Sequence, residues 1–428
     1  MRAVVVALGK IGLPVAVALA RAGHDVVGCD VDERVVGLVN DARAPFPGEP
    51  GLEDGLAETV RAGRLRAQTD TAAAVAAGAD LVIAVPPLIV DADARPDFAI
   101  LDAVVADIAR GLGAAPAARA TVVSIETTLP VGTTRTRVAP ALEAGSGRRG
   151  EQDFFTVFSP ERVFSGRVFR DLETYPKLVG GISPEGEDRG IACYAQFLTA
   201  EVRAMGSAEA AEMTKLVETT YRDVNIALAN EFAMAADRHG LDITTVIDAA
   251  NSQPFSHVHR PGIAVGGHCI PVYPRFYLEG DPGARLPATA RDVNASMPQY
   301  AVQLLGQALD GVVAGSRVLI LGVAYRGDVK ETAFSGAFAL RDALAAAGAH
   351  PVAADPLYDA DELRALGFDP WDGTAIDAAV LQADHASYAG LGPEDLAGAR
   401  AVVDGRGILD AARFASAGVT LRAIGRPA

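Results

Sequence analysis

Residues 3–14 read AVVVALGKIGLP, and the order of residue types in them decides the fold. Ala3 to Leu8 is a continuous apolar run of strand length, as expected for a strand buried on both faces. A glycine turn follows, and then the helix-forming stretch LPVAVALARAG, which closes at Gly23. Asp25 to Asp30, DVVGCD, is the next strand. ADLVIAVP (Ala79–Pro86) and ATVVSIET (Ala120–Thr127) are later strands, with Ala-rich helical stretches between them. Strands that alternate with helices pack as a parallel, doubly wound sheet.

The turn itself, Ala7 to Gly12, has the spacing GxGxxG with alanine in the first position. Gly9 lets the backbone approach a pyrophosphate, and Gly12 lets the helix lie close against the strand. The helix N-terminus offers free amides and the positive end of a dipole. Asp30 ends the second strand, about twenty residues on, where an acid bonds a ribose 2′-hydroxyl. Strand, turn, helix, strand and acid in this order point to a bound dinucleotide. A carboxylate at Asp30 repels a 2′-phosphate, so NAD is favoured over NADP, although Arg34 nearby tempers that preference. The expected cofactor set is Gly9, Lys10, Ile11, Gly12, Asp30 and Arg34, with Pro86 and Thr128 at the ends of later strands.

The texture changes between Gly206 and Gly240. Met213, Leu216, Val217, Tyr221, Val224, Leu228, Phe232 and Ala235 recur at helical spacing. Ser207 is placed to cap the start and Gly240 to end the helix. At 1.5 Å per residue such a helix is roughly 45 Å long. An element of this length between two domains reads as a central spine and a dimer surface; the plainer alternative is a buried helix in a monomer. From Gly315 the alternation returns, with RVLILGVAY, SGAFALRDALAAAG, HPVAADP and AVVDGRG (Ala401–Gly407). The expected fold class is therefore α/β, with two Rossmann-like doubly wound domains joined by a long central helix and helical core. The expected domains are residues 1–200, 201–300 and 301–428.

Half of the 428 residues are hydrophobic, enough for two or three domains with real cores. The formal net charge of −16 argues against nucleic acid or an anionic membrane as a partner. Cys29, Cys193 and Cys269 lie far apart, which is neither a disulfide framework nor a zinc spacing. No metal is expected, and a cytoplasmic location fits. The N-terminal apolar run is too short to span a bilayer and leads straight into the turn, so it is not read as a signal peptide.

Four further features carry chemistry. ETTLPVGTT (Glu126–Thr134) puts hydroxyls at the C-terminal end of a strand, where ligands of doubly wound sheets sit. FSPERVFSG (Phe158–Gly166) carries Glu161 just after a proline. Lys215, Thr219 and Arg222 share a polar face of the spine helix. GGHCIPVYP (Gly266–Pro274) presents Cys269. Singly, each has a bland reading: a helix cap, a surface pair, a solvated lysine, a small core cysteine. Together they suggest covalent catalysis on a carbonyl, with a thiolate attacking an aldehyde and a lysine stabilising the oxyanion.

These pieces, in this order, resemble the UDP-glucose/GDP-mannose dehydrogenase family of nucleotide-sugar 6-dehydrogenases. The matching stretches are GKIGLP, DVDERVVGLVN with PFPGEPGL, TLPVGTT, SPERVFSG, EMTKLVE with RDVNIALANEF, and GGHCIP, with GVAYRGDVKET weaker near the end. TLPVGTT, SPER and RDVNIA look most like the UDP-N-acetylhexosamine branch. The resemblance implies an NAD domain, a helical dimer core and a UDP-binding domain, and a likeness to enzymes that oxidise a sugar C6 alcohol to the uronic acid with two NAD. By the same likeness Cys269 is the nucleophile, Lys215 stabilises the oxyanion or acts as acid-base group, and Glu161 and Thr128 position the water. It also implies that Arg162, Val163, Phe164, Lys215, Arg260, Gly266, Tyr325 and Arg326 contact a nucleotide sugar, UDP-linked, in a homodimer.

The chain departs from the family pattern at several places. Thr219 stands where the family has asparagine, and Tyr273 where it has aspartate four residues after the cysteine. Ala7 replaces the first glycine, and Ala333 falls where the family has arginine. Tyrosine is neutral at pH 7 and cannot serve as a resting carboxylate base, though it can donate a hydrogen bond. Thr219 and Tyr273 thus enter the expected catalytic set in altered form. Two alternatives follow: a variant that stops at the aldehyde or epimerises by transient oxidation, and a non-catalytic nucleotide-sugar binder.

Overall fold

The computed structural model describes residues 1–428 apart from 92, 117–119, 165 and 428. It divides into two compact units, Met1–Glu218 with Arg275–Gly280, and Thr219–Pro274 with Asp281–Ala428.

Among the described residues, the first unit holds an eight-stranded sheet. Its strands are β1 (Arg2–Val6), β2 (Asp25–Cys29), β3 (Leu65–Gln68), β4 (Leu81–Ala84), β5 (Thr121–Ile125), β6 (Phe154–Phe158), β7 (Lys177–Gly181) and β8 (Val202–Ala204). They lie in the order 8-7-6-5-4-1-2-3. β7 runs antiparallel to β6, and the other pairs are parallel. β4, β5 and β6 are buried along their whole length, and they are largely apolar, with Thr121, Ser124 and Thr156 the buried polar residues among them. The chain leaves β1 toward β2 and β3 on one side and returns to β4 on the other. A crevice opens at the strand ends where such an order reverses.

The first strand stops at Val6, short of the expected Leu8, because Ala7 turns into the left-handed region at φ 74°. Helix α1 (Gly12–Arg21) starts directly after this turn. A Cβ at Gly12 would lie 2.0 Å from the Ala7 carbonyl oxygen, so glycine alone fits there. Leu8 N–H donates to Asp30 Oδ2 at 2.8 Å, which fastens the turn to the end of β2.

Helix α2 (Ala208–His239) is the long helix expected from the sequence. Ser207 Oγ accepts from Ala210 N–H at 3.1 Å at its start, and Gly240 follows its end in the left-handed conformation, φ 65°. Its apolar stripe splits in two. Leu216 is buried, whereas Val217, Tyr221, Leu228 and Phe232 are exposed. The buried side is otherwise made of small and polar residues, Ala211, Thr220, Asp223, Ala227, Asn230 and Ala233.

The second unit contains a five-stranded parallel sheet: β9 (Arg317–Leu321), β10 (His350–Ala354), β11 (Ala378–Leu381), β12 (Ala401–Asp404) and β13 (Thr420–Ala423), in the order 10-9-11-12-13. Helix α3 (Arg285–Ala308) contributes Met297, Ala301, Leu304 and Leu305 to the core that holds Ile320, Val380 and Val403 of the sheet. Polar side chains of α2 in this unit form a chain of bonds. Asp223 pairs with Arg291, Asn294 Nδ2 donates to Asp223 Oδ1 at 2.8 Å, and Asn230 Nδ2 donates to Asn294 Oδ1 at 2.9 Å. Asn230 Oδ1 accepts from Gly262 N–H, and Asn225 Oδ1 from His259 N–H, both at 2.9 Å. The RDVNIALAN stretch therefore braces the 257–262 loop. Among the described residues, no helix is long and apolar enough to cross a membrane.

The turn makes a stability prediction with two signs. Ala7→Gly removes the left-handed penalty and raises stability by about 1 kcal/mol. Gly12→Ala forces a clash with backbone and lowers it by about 1–3 kcal/mol or more. Urea denaturation midpoints of the two variants against the parent check both.

Candidate active site

The expected cofactor residues gather at the C-terminal ends of β1, β2, β4 and β5. A Cβ on Gly9 would meet nothing within 4 Å, so that side of the turn is open. Ile11 precedes α1, which begins without a side-chain cap and without an acidic residue in its first turn. An open glycine beside uncapped helical amides suits a pyrophosphate, so the site fits a dinucleotide. Both Asp30 oxygens already accept backbone bonds, Oδ2 from Leu8 and Oδ1 from Asp32 at 3.0 Å, which fixes the carboxylate in place. Lys10 and Arg34 are exposed, and Arg34 lies 3.4 Å from Asp32. Pro86 is buried and its carbonyl accepts the Thr127 hydroxyl. Thr128, next in the chain, is buried too.

The loop after Thr128 is held by Glu212 of α2. This carboxylate accepts from Gly132 N–H at 2.5 Å, Thr134 N–H at 2.8 Å and the Thr134 hydroxyl at 2.6 Å. Burial pushes its carboxyl up to about 7, against the bonds from Thr134 and Gly132. One turn further along the same helix stands half-buried Lys215.

Glu161 follows β6. Its Oε1 accepts from the backbone N–H groups of Arg162 at 2.6 Å and Val163 at 2.7 Å. Its Oε2 lies 3.6 Å from Lys177 Nζ at the start of β7. Burial alone raises a carboxyl here, but Lys177, the Val163 N–H, Lys215 and the Arg162 N–H outweigh it and hold Glu161 below its ordinary value. Arg162 itself turns to Glu218 of α2 at 2.8 Å and to the Pro176 carbonyl at 3.2 Å. Val163 is half-buried; Phe164 is exposed, with the Arg167 guanidinium 4.7 Å over its ring.

Sequence reasoning missed the groups beneath Glu161. Lys177 also contacts Glu126 Oε2 at 2.9 Å, and the Tyr194 hydroxyl donates to Glu126 Oε1. Glu126 and Tyr194 are fully buried. The available signal was charge in apolar company: Lys177 opens KLVGG, and Glu126 directly follows TVVSI.

The second unit carries the cysteine turn. All three cysteines are described, and of them only Cys269 is exposed. Burial pushes the Cys29 thiol up to about 12 and the Cys193 thiol up to about 11. A Cβ on Gly266 would lie 2.7 Å from Tyr325 Cβ, and one on Gly267 3.1 Å from the Tyr325 ring. Gly267, at φ 90°, donates its N–H to the Ala333 carbonyl at 2.9 Å. The two glycines thus seat the turn directly on the 325–333 segment. Arg326 is exposed, its guanidinium 5.6 Å from the Tyr325 ring centre. Arg406, which sequence reasoning quoted within AVVDGRG but gave no role, donates to the carbonyls of Gln382 at 2.7 Å and Tyr325 at 3.4 Å. Tyr273 N–H donates to the Cys269 carbonyl at 2.9 Å and opens the helix Tyr273–Gly280; its side chain is half-buried. Thr219 is buried on α2. Arg260 pairs with Asp248 and reaches the Thr244 carbonyl at 3.4 Å.

An open glycine turn before uncapped helical amides, with an acid after the second strand, defines a dinucleotide-binding protein of the oxidoreductase class. Residues 1–198 match the NAD binding domain of the UDP-glucose/GDP-mannose dehydrogenase family, 209–295 its central domain and 319–411 its UDP binding domain. The chain belongs to this family. It is an NAD-dependent nucleotide-sugar dehydrogenase. It is 33% identical to the UDP-N-acetyl-D-mannosamine dehydrogenase of Pyrococcus horikoshii, over 100% of this chain and 99% of the relative. It is 32% identical to the NDP-N-acetyl-D-galactosaminuronic acid dehydrogenase of Ralstonia nicotianae, over 96% and 97%. The solved structure of the Pyrococcus horikoshii dehydrogenase is similar with a TM-score of 0.88 at 31% identity, covering 100% of this chain and 99% of that one.

Two measurements probe this geometry. Iodoacetamide under native conditions is expected to add one label per chain, at Cys269, and none to the Cys269→Ser variant; intact mass reads both. A carboxyl raised in the folded state stabilises most below its unfolded value of 4.5 and loses that contribution as pH rises through about 7. Stability of the parent relative to Glu212→Gln should therefore fall between pH 5 and pH 8, by about 2–3 kcal/mol at most. Paired urea titrations across that range test the sign.

Proposed function

We propose that this chain oxidises the C6 alcohol of a UDP-linked N-acetylhexosamine to the uronic acid, with Cys269 as nucleophile. The observation that carries the reading is the exposure of Cys269 on a turn packed against Tyr325, while the other cysteines are held back by burial. The relatives named above for N-acetylmannosamine and N-acetylgalactosaminuronic acid support this sugar class.

NAD, when bound, accepts the hydride that leaves C6 in each of the two oxidations. Gly9, Lys10, Ile11, Gly12, Asp30, Arg34, Pro86 and Thr128 would hold it. In the aldehyde stage Cys269 Sγ adds to C6 and forms a thiohemiacetal, and Lys215 balances the charge on O6. Loss of hydride leaves a thioester. Water held by Glu161 and Thr128 then adds to C6, the C–S bond breaks, the thiol returns and the carboxylate departs. Thr219 and Tyr273 donate hydrogen bonds in the places where the family has asparagine and aspartate. Arg162, Val163, Phe164, Arg260, Gly266, Tyr325 and Arg326 bind the nucleotide sugar. In this reading residues 1–200 bind NAD, 201–300 mediate dimerisation and 301–428 bind UDP, in a cytoplasmic enzyme.

The exposed stripe Val217, Tyr221, Leu228 and Phe232 supports a homodimer. It continues into an apolar cavity of about 350 Å³ that Phe232, Leu241 and Val246 line. Leu228→Asp with Phe232→Asp should give a monomer by sedimentation.

Counting NADH per sugar across a panel of nucleotide sugars tests the reaction. Two NADH and a uronate are expected, and none from Cys269→Ala. One NADH with an aldehyde product, or none with an isomerised sugar, would give the loss of aspartate at Tyr273 a mechanistic meaning. Sugar binding without turnover, unchanged in Cys269→Ala, would overturn the enzyme reading. Tyr273→Asp tells whether the missing carboxylate limits the rate.

A further inference from the structure

The interior beneath Glu161 holds more charge than a scaffold needs. Glu126, Lys177 and Tyr194 are buried together, and Lys177 Nζ lies between two carboxylates, 2.9 Å from Glu126 and 3.6 Å from Glu161. Burying two carboxylates and an ammonium is costly, and an apolar trio of the same volume packs as well or better. The cluster is also asymmetric. Glu161 has backbone N–H donors on Oε1 only, and no hydrogen bond reaches its buried Oε2 among the described residues. Glu126 has no backbone donor of that kind; the Tyr194 hydroxyl bonds it, and Ser124 Oγ in turn meets that hydroxyl at 2.8 Å. Lys177 stands 5.1 Å over the Tyr194 ring, so its position is set from below.

We infer that Lys177 is a positioning residue: anchored by Glu126 and Tyr194, it stands on the Oε2 side of Glu161 and holds that carboxylate in place for the water that cleaves the thioester. The inference rests on the water-positioning role proposed for Glu161. Two carboxylates around one ammonium cannot both stay ionised cheaply. The deeper one, Glu126, is raised by burial despite Lys177, whereas Glu161 is lowered. Glu161 is therefore the one of the two that stays ionised, and so free to accept a proton, to lower pH. The charged and titratable groups facing Glu161 are Lys177 from β7, Lys215 from α2, Glu126 after β5, Tyr194 from the helix Pro184–Tyr194, and Arg162 with its partner Glu218. Asp171 nearby is taken by Arg167 at 3.1 Å.

The test is the pH profile of kcat in opposed variants of the whole enzyme. Lys177→Met removes the ammonium; the acid limb should move up by about one pH unit or more, with kcat at pH 7 falling about 10–100-fold and KM for the nucleotide sugar unchanged. An initial burst of NADH should persist, because the slowed step follows hydride loss. Lys177→Arg should restore the profile. Glu126→Gln, which leaves Lys177 to Glu161 alone, should move the limb down. Folded variants whose limbs do not move, or move together, overturn the inference, as does failure of Lys177→Arg to rescue. Where Lys177→Met does not fold, the Glu126→Gln shift and a Lys177→Met/Glu126→Gln double variant decide, since that pair removes both charges. Glu161→Gln run in parallel separates the two claims: if it leaves the steady-state rate and the limb intact, the role of Glu161 fails and the inference with it, whereas if it slows the steady state and removes the limb while Lys177→Met leaves both in place, only the role of Lys177 fails.

Discussion

A side chain is missing at Gly12, and the Ala7 carbonyl occupies the space where its Cβ would be, 2.0 Å away. That contact sets how closely α1 approaches the end of β1. It leaves the α1 amides without a cap and facing the crevice where the strand order reverses. Ala7 accepts a left-handed backbone to make the turn, a cost of about 1–2 kcal/mol for a residue with a Cβ. Asp30 offsets part of that cost by bonding Leu8 and Asp32, so the acid at the end of β2 is structural before it is a ligand.

The polar groups at the strand ends are held from behind by buried partners. Glu212 carries the loop after Thr128 on three hydrogen bonds. Backbone amides and Lys177 carry Glu161. Each carboxylate is desolvated, so its geometry is strict: a buried acid tolerates few arrangements of its donors. In the second unit the cysteine turn is seated mainly by backbone contact, with His268 Nε2 3.6 Å from Glu331 Oε2 beside it. Two glycines lie against Tyr325, and Gly267 bonds the backbone at Ala333. Rigidity there comes from close contact.

Helix α2 serves both arrangements in its sequence order. Glu212, Lys215 and Glu218 belong to the first unit; Asp223, Asn225 and Asn230 belong to the second, where they hold the 257–262 loop. The helix is therefore polar on the side that a soluble helix ordinarily fills with apolar residues. Its apolar residues Val217, Tyr221, Leu228 and Phe232 face outward instead. Periodicity located the helix and left open which stripe is inside, because both stripes repeat at the same spacing.

The sequence by itself determined the alternation of strands and helices, the glycine turn with its acid, the long helix with its ends at Ser207 and Gly240, and the order of the reactive stretches. These are local properties, legible in period and turn chemistry. The end of β1 was read too far along, because a left-handed alanine leaves no mark in an apolar run. Only the tertiary structure decided that Lys177 joins Glu126 and Glu161, that Glu212 holds the loop after Thr128, and that Arg406 reaches the Tyr325 carbonyl. Those partners lie far apart in the chain. Strand order brings them together, and residue spacing along one strand or helix carries no record of it.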